Sequence, residues 1–271
     1  MKRIIILLTG ICMGLTSMAQ TDSTKKDVDT IRIGSMIIVK QGGTEDGERQ
    51  KTRIYHRSYK PSAINTNWFI IDLGFTNYTD NTNYSGAAAG SFAPGLDKDD
   101  FKLRAGKSSN INIWIFMQRL NVVKNVVNLK YGLGVEMNNY RYKEPIRFNT
   151  DPTRVVLDNS THYKKNKLAA DYITIPMMLN FNFTPERRRG FGISVGASAG
   201  YLYSSRQKTI TDADGKNKKH DDFDLRKWKL SYIGELQLGP VKLYGSLASQ
   251  SIFEKGLDQT PYSVGIRFSS W

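Results

Sequence analysis

From Val127 to Met137 the chain reads VNLKYGLGVEM, apolar at every odd position and polar or glycine at every even one. A period of two is the signature of a β-strand with one apolar and one polar face. The same pattern predicts strands over Trp68–Tyr78, Asn110–Leu120, Tyr172–Phe183, Gly190–Ser205, Leu230–Gly239, Val241–Ile252 and Tyr262–Phe268, eight in all. In the first of these Phe69, Ile71, Leu73 and Phe75 oppose Ile70, Asp72, Gly74 and Thr76. In the second Ile111, Ile113, Ile115 and Met117 oppose Asn110, Asn112 and Gln118, with Trp114 and Phe116 blurring the alternation. Pro176 cannot donate to a strand ladder and predicts a bulge or a rim position.

The connections alternate in length. Residues 79–107, 143–168 and 207–227 are long and polar, whereas 121–125, 184–189 and 239–240 are short and 254–260 is intermediate. Even-stranded outer-membrane barrels have short periplasmic turns and longer external loops. Glycines 74, 132, 134, 192, 196, 200 and 265 all fall on polar faces, where a narrow barrel interior needs small groups. Aromatic residues collect at strand ends, among them Trp68, Tyr78, Tyr140, Tyr142, Tyr172, Phe183, Tyr203, Trp228, Tyr262 and Phe268, as an interfacial girdle requires. The apolar faces are therefore expected to point outward to lipid. The predicted fold is all-β: an eight-stranded antiparallel transmembrane β-barrel over residues 67–271, in the cell outer membrane.

The N-terminus sets the compartment. Lys2-Arg3, an apolar run from Ile4 to about Leu15 and Ser17-Met18-Ala19 form a secretory signal peptide over residues 1–19. The single cysteine, Cys12, lies within it. Residues 20–66 read as a basic periplasmic extension, with one short strand in Thr30–Lys40 and a solvated stretch in Gly42–Arg53. Loss of Lys2 and Arg3 with the leader lowers the formal charge from +14 to +12. An exported chain this basic has lipid or lipopolysaccharide phosphates as its natural counter-charge rather than nucleic acid.

Several of these segments together resemble the PorT-like outer-membrane β-barrel family of Bacteroidetes: the leader with TIRIG, the mid-barrel YITIPMMLNFNF, the glycine-rich GISVGASAGYLY and the ending YSVGIRFSSW. The resemblance covers roughly residues 67–271. It implies an eight-stranded outer-membrane barrel and a periplasmic or secretion-complex protein partner, since the founding member is implicated in type IX secretion. It carries over no functional residues.

Chemistry is sparse. His56, His162 and His220 lie outside the predicted strands, so no catalytic residue, cofactor site or metal site is assigned. Asp212 to Asp224 lacks the spacing of a calcium loop. Asp72, Lys130, Glu136, Glu235 and Arg267 are expected in the lumen as a mutually neutralising plug. Arg187, Arg188 and Arg189, in a short turn, are expected at inner-leaflet phosphates, and Lys164, Lys165, Lys167, Lys216, Lys218 and Lys219 at lipopolysaccharide. The function expected is non-enzymatic, in binding, structure or secretion. A lipid-modifying enzyme of the lipid A deacylase type and a narrow pore stand as alternatives.

Overall fold

A computed structural model describes residues 62–187, 190–213 and 215–269 in full, and the backbone of three strands before them: β1 (Val28–Ile33), β2 (Met36–Gln41) and β3 (Thr52–His56). The chain divides into two units, Met1–Ser58 and Tyr59–Trp271. In the first, β1, β2 and β3 form an antiparallel sheet in that order. Thr30–Lys40 is thus shared by two paired strands, not one, and Thr52 and Arg53 begin a third. The signal-peptide segment lies outside the described residues.

The second unit contains β4 (Ile64–Asp80), α1 (Ala87–Phe92), β5 (Ser109–Val123), β6 (Val127–Arg141), β7 (Ile146–Asn149), β8 (Arg154–Leu157), β9 (Tyr163–Asn182), β10 (Phe191–Thr211), β11 (Gly215–His220), β12 (Trp228–Leu238), β13 (Val241–Ala248) and β14 (Gln259–Phe268). Eight of these strands close a ring in the order β4-β5-β6-β9-β10-β12-β13-β14, every pair antiparallel, with β14 returning to β4. Closure pairs every strand edge in the ring, which is what permits strands to cross a lipid bilayer. β11 adds to the outer end of β10, and β7 and β8 form a separate hairpin.

The faces divide as the period of two dictates. Ile71, Leu73 and Phe75, Ile173, Ile175, Met177 and Leu179, and Val264 and Ile266 are exposed on the outside. Asn128, Lys130, Thr174, Asn180, Ser194, Ser231, Glu235, Ser263 and Arg267 are buried. An apolar exterior around a polar interior is the reverse of a soluble core. Gly74 and Gly265 face each other across β4 and β14. A Cβ added at Gly265 would stand 2.5 Å from the Gly74 Cα and 2.7 Å from the Tyr244 ring, so only glycine lets that ring cross the lumen.

The alternation breaks in β4, β5 and β10, and the cause is local. Between Trp114 and Phe116 the β5–β6 register shifts by a bulge at Ile115. The phase of β5 reverses there, so Met117 and Arg119 turn inward, whereas the simple period places Met117 on the lipid face. Opposite the bulge, Phe69 takes a φ of 56°. A second shift, at Tyr203, reverses β10 so that Ser205 and Gln207 point inward. Pro176 marks neither bulge nor rim. It lies mid-strand, in register with Ser198, and the β6–β9 ladder is interrupted from Tyr131 to Gly134 with equal residue counts on both strands.

The strands also outrun their sequence boundaries. β9 begins at Tyr163 and β10 runs to Thr211, so much of two predicted loops is strand projecting past the bilayer. Of the predicted girdle, Trp68, Phe183, Tyr203, Trp228, Tyr262 and Phe268 are exposed. Tyr140, Tyr142 and Tyr172 are instead buried in an interior cluster, for the reason given below.

Candidate functional site

Inside the ring, charges meet both on paired strands and across strands that are not neighbours, the latter possible only through the lumen. Arg267 of β14 donates two hydrogen bonds to Asp72 of β4, at 2.7 and 2.8 Å, and a third to Glu235 of β12 at 2.6 Å. Lys130 of β6 donates to the other Glu235 oxygen at 2.6 Å and to Ser194 at 3.1 Å. The Trp114 indole N–H reaches Asp72 at 2.7 Å, and the Arg267 guanidinium lies 5.5 Å from the centre of that ring. Towards the outer end Lys229 pairs with Glu136, and Asn138, Asn110 and Tyr244 continue the chain of hydrogen bonds. Asp72, Lys130, Glu136, Glu235 and Arg267 thus belong to one network with Lys229, and the buried Arg119 and Lys242 add two further bases beside Glu235 and Lys130. Pairing of this kind offsets the cost of withdrawing the charges from water.

Above the network the interior turns apolar. Phe92 and Leu96, Phe101 and Leu103, Ile146 and Phe148, Val155, and Phe223 and Leu225 come from the three long connections, and Ile252, Phe253 and Leu257 from the shorter one before β14. They pack on Tyr140, Tyr142, Leu168 and Tyr172 from the strands. The Phe148 ring stacks on Phe253 and meets Phe223 edge-on, with centroids 6.2 and 5.7 Å apart. The hairpin of β7 and β8 is tied down through Gln207 and Asn166, both of which donate to the Ile146 carbonyl. Polar loops therefore contribute an apolar lid, and that lid is why three tyrosines leave the girdle.

Outside the lid, a cleft of about 390 Å³ is lined by Arg104, Arg141, Lys143, His162, Lys164 and Lys165, with Glu144 as its carboxylate. Ser160 also lines it, but its hydroxyl donates to Asp158 at 2.6 Å. That bond and one from Tyr163 hold the Asp158 carboxyl down at about 2. Asp212 pairs with Lys164 at the end of the β10–β11 hairpin, whose second strand ends at His220, before Asp221, Asp222 and Asp224. Among the described residues no three His, Cys, Asp or Glu side chains come together as a metal site. At the opposite end Arg187 is exposed in the short β9–β10 turn, while Arg188 and Arg189 lie outside the described residues.

The profile of the outer membrane protein beta-barrel domain matches residues 67–253, most of the ring. The chain belongs to that family. It is an outer-membrane protein, and its outward apolar band is the lipid-facing surface. Among solved structures it is similar to the attachment invasion locus protein Ail of Yersinia pestis, determined in complex with the heparin analogue sucrose octasulfate. The identity is 10%, over 75% of this chain and 98% of that one, with a TM-score of 0.33. A search of the curated proteins finds no match.

Within this outer-membrane barrel, sequence reasoning missed the lid, Lys229 and Trp114 as partners in the network, and the cleft. Lys229 had a signal, being a lysine in phase with Ser231 and Glu235 at the start of a strand. The lid had none, because its phenylalanines are scattered singly through polar loops.

Proposed function

We propose that this outer-membrane barrel is a sealed, non-enzymatic scaffold that presents its projecting strands and external loops to a binding partner. One observation carries the reading: the lumen is blocked twice, by a hydrogen-bonded charge network and by an apolar lid above it. A pore needs a continuous wet path, and an eight-stranded ring is just wide enough for its own side chains to fill. Engagement of the Ser160 hydroxyl by Asp158 counts against its acting as a nucleophile beside His162.

The partner proposed is lipopolysaccharide at the basic external surface, with Arg187–Arg189 facing inner-leaflet phosphates on the other side. The PorT-like resemblance supports a second contact, between residues 20–66 in the periplasm and a protein of a secretion complex. The decisive experiment is single-channel recording on purified protein in planar bilayers, together with incubation with radiolabelled lipid A. The expected result is no steady conductance and no hydrolysis. Stepwise conductance that Lys130→Ala enlarges would overturn the sealed scaffold, and hydrolysis lost in His162→Ala would establish an enzyme.

A further inference from the structure

The register of the projecting strands carries an unusual feature. Arg141 of β6 is directly opposite Lys167 of β9, Lys167 opposite Lys208 of β10, and Lys208 opposite Lys218 of β11. Four adjacent strands therefore place a base at the same level. Directly opposed residues point to the same face, so the four form one transverse row about 14 Å long at a strand spacing of about 4.8 Å.

The rows on either side are of the same character. One residue pair further out along the same face stand Lys165 and Lys216, joined through Ile210, and one pair further in stand Arg206 and His220. The carboxylates near this face are already taken: Asp171 by Arg206 at 2.5 Å, and Asp212, at the outer end, by Lys164. Like charges directly opposite one another destabilise a sheet. The crowding shows in Lys167, whose ammonium is pushed down to about 8 by partial burial and then by Lys165, Lys208 and Arg206. Lys167 donates to Asn139 and Arg141 to the Lys164 carbonyl, but among the described residues no carboxylate pairs with any of the four, so compensation for their charge comes from outside the fold.

The direction of the row identifies the source. Odd residues of β6 and β9 keep one face throughout, so Arg141 and Lys167 share theirs with Val135 and Ile173 on the lipid side. In β10 the Tyr203 bulge brings Arg206 and Lys208 onto that same face. Tyr201, Tyr203 and Trp228 stand exposed at the top of the apolar band. Lys208 is five residues beyond Tyr203, about 12 Å above it for a rise of about 3.3 Å per residue and a tilt of about 40°. The row thus looks sideways into the headgroup layer and not upward into the medium. The opposite wall is neutral at its outer end: the outward residues of β4 and β14 there are Asn77, Thr79, Thr260 and Tyr262.

We propose that Arg141, Lys167, Lys208 and Lys218, flanked by Arg206, Lys165 and Lys216, form a site for the phosphorylated saccharide headgroup of an outer-leaflet lipid. The site rests on the proposal that lipopolysaccharide is a partner of this barrel, and it names the wall of the barrel that holds it. A single anionic headgroup turns the repulsion within the row into a set of charge-assisted hydrogen bonds.

The test uses the full-length barrel folded into neutral phosphatidylcholine vesicles alone, with bisphosphorylated lipid A, or with chemically dephosphorylated lipid A. The readout is the midpoint temperature at which the compact, fast-migrating band is lost on an unboiled gel. Bisphosphorylated lipid A is expected to raise the wild-type midpoint by about 3 °C or more, and dephosphorylated lipid A is not. The triple variant K167Q/K208Q/K218Q is expected to lose that rise while being at least as stable as wild type in neutral vesicles, because its own repulsion is relieved. A control variant, K102Q/K107Q/K255Q, is expected to keep the rise.

Four outcomes are decisive. A rise retained in the triple variant overturns this site but leaves lipopolysaccharide as the partner. Equal midpoints for wild type in all three vesicles overturn both. Equal stabilisation by inorganic phosphate in neutral vesicles overturns the assignment to a lipid. A triple variant less stable than wild type in neutral vesicles overturns the claim that the row is repulsive.

Discussion

Glu235→Gln is the most informative single change in the barrel. It removes one negative charge that holds two buried cations, Lys130 and Arg267, each at 2.6 Å. With charge centres about 4 Å apart and an effective dielectric constant near 20, each attraction is worth about 4 kcal/mol before desolvation. Desolvation offsets much of this sum, and breaking a buried pair by removing one partner costs about 3–5 kcal/mol in practice. Arg267 keeps Asp72, so most of the loss falls on Lys130, which is left among Ser194 and its other neighbours. The expected destabilisation is about 3–5 kcal/mol, read from urea unfolding in vesicles by tryptophan fluorescence. Glu235→Gln combined with Lys130→Met removes both ends of the pair and should recover at least half of the loss, since an apolar replacement for a buried pair is often neutral. A single variant within about 1 kcal/mol of wild type, or a double variant less stable than the single one, would refute the premise that this network is dry.

Three further predictions follow from other parts of the fold. Phe148→Ala removes the ring that joins Phe253 and Phe223, should cost about 3–5 kcal/mol locally, and should expose the long connections to trypsin on intact cells while the compact gel band survives. Gly265→Ala places a methyl group against Gly74 and the Tyr244 ring at the seam where β14 closes on β4. It should lower stability by about 1–3 kcal/mol and slow the appearance of the compact band during folding, while Gly90→Ala, where an added Cβ meets open space, should leave that rate unchanged. Asp158 titrates lower in the folded chain than in the unfolded one because Ser160 and Tyr163 donate to it. Its contribution to loop order is therefore fully present above its unfolded value, near 4, and fades as the pH falls towards about 2. Amide protection in residues 158–163, taken relative to the intrinsic exchange rate at each pH, should fall across that window in wild type and stay constant in Asp158→Asn.

The parts of this fold that sequence reveals are those governed by period. Val127 to Met137 has no bulge, so alternation alone gives its lipid face and its lumen face. In mid-strand β5 and β10 carry an extra residue, at Ile115 and Tyr203, and a shift of one reverses the side chains beyond it. Met117 is misplaced for that reason, and Arg206 and Lys208 reach the lipid-facing side only through the second bulge. The charged network was readable because Asp72, Lys130, Glu136, Glu235 and Arg267 sit on polar faces of clean strands. Which acid meets which base was not readable, since partners such as Lys130 and Glu235 are 105 residues apart and depend on how the ring closes. The lid was invisible because Phe92, Phe148, Phe223 and Phe253 belong to segments without period, and only the ring's mouth brings them together. The projecting halves of β9 and β10 read as loops because Lys and Asn replace the apolar residues there once lipid no longer selects them.

The central claim is that one face of every ring strand meets lipid and the other meets a filled interior. Spin-label scanning over residues 127–137 tests it directly, with single cysteines introduced into a chain whose own Cys12 has been replaced. In vesicles, labels at Val127, Leu129, Leu133 and Val135 should collide freely with oxygen and poorly with a water-soluble nickel chelate. Labels at Asn128 and Glu136 should collide poorly with both. The opposite phase, or equal access to the nickel chelate along the whole strand, would contradict the account.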